Sequence, residues 1–107
     1  MSLIDDATTI GNVLTQIDTA LQTPGLSEAD WQTLYALRKH LDDLQRDLIK
    51  ASINQADQTY QELTAQLKTA SSQLTTFIGD LTKVQNAIAT VAQIASYADQ
   101  LLKVAGA

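Results

Sequence analysis

The chain has no cysteine. Disulfides, thiolate metal sites and cysteine nucleophiles are therefore excluded, and cysteine usage leaves the redox compartment open. Histidine occurs once, at position 40, too few to build a metal site by itself. Proline also occurs once, and there are only four glycines in 107 residues. Between Gly25 and Gly79 there is neither. A window that long without a helix breaker favours helix. Basic residues are the minority, seven against twelve acidic ones, for a net charge of −5. Phosphate neutralisation needs a basic surface, so this balance argues against nucleic acid as a partner. No stretch reaches the ~18 apolar residues of a membrane span. The nearest, Val84 to Ala98, is uncharged but contains Gln85, Asn86, Thr90, Gln93 and Ser96. The first residues, Met1-Ser2-Leu3-Ile4-Asp5-Asp6, carry no basic and then apolar leader pattern. The expected location is the cytoplasm, and secretion without a cleaved signal is compatible with the same residues.

What is present points to one helical domain spanning 1–107. Apolar residues make up 45%, enough for a core. Charged residues are only 18%, below the usual quarter, and Gln and Thr fill the gap.

Four apolar stripes run along the chain with alternating spacings of four and three, the signature of one buried helix face. The first is Leu3, Ala7, Ile10, Leu14, Ile17, Leu21. Ser2 is its expected cap, with Asp5 and Asp6 at the positive end of the helix dipole. Gly11 within it costs ~1 kcal/mol relative to Ala, and Thr23-Pro24-Gly25 ends it. Ser27 then caps a second helix, with Asp30 at the third helical position. Leu26 before the cap and Trp31 at the fourth position form a hydrophobic staple pattern, which gives Trp31 a structural role in the staple or the core. The stripe that follows is Leu34, Leu37, Leu41, Leu44, Leu48, Ala51.

A third stripe, Ile49, Ile53, Ala56, Tyr60, Leu63, Leu67, Ala70, Leu74, Phe77, is offset from the second by one residue. One residue is ~100° of rotation, so the buried face moves sideways near Ser52-Ile53-Asn54. Either the chain turns there, or one helix of about 50 residues shows different faces to different neighbours. The lack of Gly or Pro favours the continuous helix. The last stripe is Leu81, Val84, Ile88, Val91, Ala95, Ala98, Leu102, and Gly79-Asp80 before it reads as a turn and a new cap. Segments of about 3–22, 28–51, 55–78 and 81–105 define an all-α fold. It is either an antiparallel helical bundle or a long helical hairpin or rod, with three to four helical segments.

No catalytic constellation appears. His40 lies on the flank of its stripe with only Lys39, Asp42 and Asp43 nearby, as a boundary histidine would. There is no G-x-S-x-G elbow, no phosphate-cradling glycine loop, no H-E-x-x-H and no EF-hand spacing. The two glutamates, Glu28 and Glu62, lack the histidine three positions on that helical di-metal sites use. No cofactor, metal or enzymatic activity is therefore expected. The run from Arg38 to Lys50 forms i,i+4 ion pairs suited to a solvated helix face.

The final helix carries more apolar surface than one contact requires. Beside its main stripe lie Ile94, Tyr97, Leu101 and Val104, which widen the apolar arc to about 200°, against the ~100° of a half-buried helix. Either this helix sits between two neighbours within the chain, or these four residues meet another chain or a lipid surface. They are the expected partner-binding residues.

The W-x-G tripeptide of one class of small two-helix secreted proteins is absent, since Trp31-Gln32-Thr33 opens a helix. The Y-x-x-x-D/E export pattern fails at Tyr97, where the fourth residue on is Leu101. The chain is similar in size and charge to some bacterial immunity proteins, which are stoichiometric inhibitors; no motif carries that likeness. The expected function is non-enzymatic: binding another protein chain, by self-association or as an inhibitor of immunity type. The alternative is a membrane- or lipid-surface component of a secreted or pore-forming assembly.

Overall fold

The computed structural model describes residues 3–51 and 57–104. Ser2, Ile53 and Ala56, to which the sequence assigns a cap and two stripe positions, lie outside the described residues, as does the side chain of Leu3. The elements are α1 (Leu3–Leu21), α2 (Glu28–Lys50), α3 (Gln58–Thr75) and α4 (Val84–Val104), with a 3₁₀ turn at Leu81–Lys83 leading into α4.

Local signals account for the ends. At Ser27 the backbone is extended and the side chain accepts from the Asp30 N–H at 3.1 Å, which satisfies one orphan donor of α2. Asp57 does the same for α3, accepting from the Tyr60 N–H at 3.0 Å. Asp80 accepts from the Thr82 N–H at 3.0 Å and from its hydroxyl at 2.6 Å. Those bonds hold the Asp80 carboxyl below its usual pKa. The α1–α2 and α3–α4 loops each turn on a glycine in the left-handed region, Gly25 at φ +83° and Gly79 at φ +84°. A side chain there would crowd its own backbone.

Polar contacts between helices give the directions. Arg38 of α2 meets Asp18 of α1, and Gln45 meets the Ala7 carbonyl, so these helices are antiparallel. Asp6 meets Tyr60 and Thr64, and Gln16 meets Thr75, so α1 and α3 are parallel. Asp30 to Gln85 and His40 to Asp99 make α2 and α4 parallel. Around the bundle the order is α1, α2, α4, α3. Two helical hairpins thus lie side by side in the same sense, with both loops at one end, in a body of 45 × 21 × 16 Å.

The stripes become one core. Ile10, Ile17, Leu41, Leu67, Ile94 and Leu101 are among the side chains with no exposed surface. Each such burial contributes roughly 1.5–3 kcal/mol before entropy is counted. Gly11 leaves room for α2: a Cβ there would stand 3.0 Å from Gln45 Nε2.

Two expectations are corrected. The continuous helix through 51–55 is not formed: α2 ends at Lys50, Ala51 is extended, and α3 begins only after its Asp57 cap. A rod of about 75 Å would leave much of its two stripes wet, whereas breaking the helix lets each stripe pack on the other hairpin. Ile49, assigned to the third stripe, is 56% exposed. Trp31 is not a core residue either; it is 40% exposed.

Candidate functional site

The arc on α4 is largely consumed inside the chain. Helix α4 packs against both α2 and α3. Ile94 and Leu101 have no exposed surface and belong to the core, while Tyr97 and Val104 are half-buried at its edge. A 200° arc is what a helix wedged between two neighbours requires, so Ile94 and Leu101 are not displayed to a partner in this fold. No helix among the described residues is long and apolar enough to cross a membrane.

One buried polar cluster lies between α1 and α3. Asp6 is fully buried. The Thr64 hydroxyl donates to its Oδ1 at 3.0 Å and the Tyr60 hydroxyl to its Oδ2 at 3.3 Å. Loss of water raises the pKa of Asp6, against the opposing pull of those two bonds and of Lys68. Burial, followed by the nearby Asp6 charge, likewise raises the Tyr60 phenol. The cluster is closed, with each carboxylate oxygen accepting one bond, and it ties the two hairpins together. Sequence reading missed it because an acid in a first helical turn already has a reason to be there. His40, by contrast, is exposed and faces Asp99 at 3.4 Å. Among the described residues no group of three or more His, Cys, Asp or Glu could hold a metal ion.

Besides an open cleft of about 380 Å³ lined by Asp47, Lys50, Ala51 and Leu102, two surfaces stand out. Between α3 and α4 run two open clefts of about 370 and 280 Å³ that share Gln73 and Gln93. Gln66, Thr69, Thr76, Phe77, Asn86 and Tyr97 complete most of their walls, and no lining residue is charged. The second surface is the outward face of α2. Trp31 and Tyr35 stack there with ring centroids 5.1 Å apart and planes 9° from parallel. They are 40% and 50% exposed, on a helix whose opposite face already fills the core with Leu34, Leu41, Leu44 and Leu48. The staple pattern brings Trp31 to the start of α2. Its i,i+4 neighbour Tyr35 then takes up the ring, and that pairing holds both side chains in one orientation.

No protein-family model, curated protein or solved structure matches this chain.

Proposed function

We propose that this protein is a non-enzymatic binding module that associates with another protein chain through the outward face of α2. The observation that carries the reading is the stacked pair Trp31–Tyr35, held in the open beside a completed core. Tryptophan and tyrosine are the residues that most often dominate binding energy at protein interfaces. Each presents a large rigid surface with few torsions to freeze, and here the stack has already restricted them. The charges that flank the pair on α2 bear on partner choice and orientation. An inhibitor of immunity type is one form such a module takes.

The test is site-specific photocrosslinking in cells. A photoreactive residue at position 35 is expected to trap a protein at a discrete mass. The same residue at exposed Ser72 on α3 is expected to give none. Crosslinks from position 72 with none from position 35 would overturn the assignment of the surface.

A further inference from the structure

We propose that the chain on which this α2 face docks is a second copy of the same protein, paired antiparallel about a two-fold axis at the level of residues 33–34. The proposal rests on the reading of Trp31 and Tyr35 as a protein-binding surface, and it adds the partner and the register. Its basis is the order of charges along the face. Glu28, Trp31, Tyr35 and Lys39 are all exposed. At ~100° per residue they fall within about 80° of arc on α2. Read along the helix they run acid, aromatic, aromatic, base, over about 17 Å.

A two-fold axis reverses that order in the second copy. With the axis between positions 33 and 34, Glu28 of one copy faces Lys39 of the other, and the reverse holds at the far end. The two aromatic pairs meet in the middle, with Trp31 opposite Ala36 and Tyr35 opposite Gln32. An isologous interface requires this kind of self-complementary pattern. A uniformly basic partner would gain from Glu28 and be repelled at Lys39. A second copy satisfies both ends at once.

The other charges nearby do not spoil the match. Arg38 is turned toward α1, where it forms a two-pronged pair with Asp18 at 2.6 and 3.2 Å. Asp30 is on the α4 side and accepts from Gln85 at 3.0 Å. Asp42, three residues past Lys39, is engaged by Arg46 at 2.8 Å, and Arg46 also lies 3.9 Å from Asp43, so these charges answer one another within α2. Within the face itself Gln32 donates to Glu28 at 3.4 Å, which steadies the carboxylate without neutralising it. One short helix face is smaller than the ~800 Å² per partner of a standard interface. The dimer therefore belongs to the weak, concentration-dependent class.

Trp31 is the only tryptophan, so its fluorescence reports on this face directly. Sedimentation equilibrium over a concentration series reaching the millimolar range, at ~0.15 M salt to screen the net charge of −5 on each copy, is expected to show the mass rising toward twice the 11.6 kDa monomer. Trp31 emission should shift over the same range. Glu28→Lys or Lys39→Glu alone places like charges opposite each other and should weaken association at least tenfold. The double variant Glu28→Lys/Lys39→Glu restores opposite charges, and its Kd should return to within about threefold of the parent. Circular dichroism checks that each variant keeps its helix content. A mass that stays monomeric throughout overturns the self-pairing. Association that neither single reversal weakens, or that the double variant fails to recover, overturns it as well. If self-pairing fails while position 35 still crosslinks to another protein, the broader binding reading stands; loss of both removes both.

Discussion

The two hairpins share a plan and differ in what they show to solvent. Each is a helix, a glycine in the left-handed region, an oxygen-bearing cap and a second helix. The first, residues 3–51, carries eight acidic and four basic side chains. The second, residues 57–104, carries four and three. The first uses charged and amide groups between its helices, through Arg38–Asp18 and Gln45 on the Ala7 carbonyl. The second lines the cleft between its helices with amides, hydroxyls and half-buried rings. Equal folds with unequal surfaces show that the same pattern of apolar stripes, caps and turn glycines tolerates very different residues at the outward positions. The stacked aromatic pair lies on the more highly charged hairpin, between exposed Glu28 and Lys39.

The comparison breaks most readily at the shared core. Leu41→Ala in the first hairpin and Leu67→Ala in the second each remove a fully buried side chain. Each should cost about 3 kcal/mol in urea unfolding, with a single transition, because both leucines belong to one core. A biphasic curve in either variant would mean that the hairpins melt separately.

Next in size is the polar tie between the hairpins. Tyr60→Phe removes one donor from buried Asp6 and should cost about 1–2 kcal/mol near neutral pH. Asp6 also makes a signed prediction. Its folded pKa is raised above the unfolded value, so the unfolded chain gives up its proton first as pH increases. The Asp6 contribution is therefore full below the unfolded pKa and is lost as pH rises through the folded one. Wild type should lose stability relative to Asp6→Asn as pH climbs from acid to neutral. Tyr60, Thr64, Asp5 and Lys68 act on Asp6 and are unchanged in that comparison. A stability gap that moves the other way would contradict the burial of this carboxyl.

The loops give a smaller and more pointed contrast. Gly79→Ala meets no atom within 4 Å and pays only for its backbone conformation, about 1 kcal/mol. Gly25→Ala carries that cost and also sets a Cβ 3.0 Å from Leu81 Cδ2, so it should lose slightly more. Thermal unfolding of the two variants side by side measures the difference. Smallest is Arg38→Ala. Its pair with Asp18 is short, but both side chains are substantially exposed, at 33% and 49%. It should cost about 0.5 kcal/mol and less at high salt.

Much of this molecule was legible along the chain. The Ser27 cap and the turn at Gly79-Asp80 were read correctly, because a cap is a contact within three residues. The buried leucines of α2 and α3 followed from spacing. The break near residue 51 was signalled by the one-residue stripe offset, but the absence of Gly and Pro outweighed it. Asp57 supplied a start that needs neither. The surplus arc of α4 was real, yet Ile94 and Leu101 serve two neighbours in the same chain. The staple pattern gives Trp31 a role in the staple or the core; the structure keeps it out of the core, stacked on Tyr35 and 40% exposed.

The Ser27 and Asp80 caps, the apolar faces and most helix positions were determined by the chain alone, since each depends on residues no more than a turn or two apart. The ring order α1, α2, α4, α3, the burial of Asp6 and the exposure of the aromatic pair were decided only in the tertiary structure. How many neighbours surround a helix is a property of the whole assembly of helices. That number fixes which apolar residues are covered and which are left to meet another molecule.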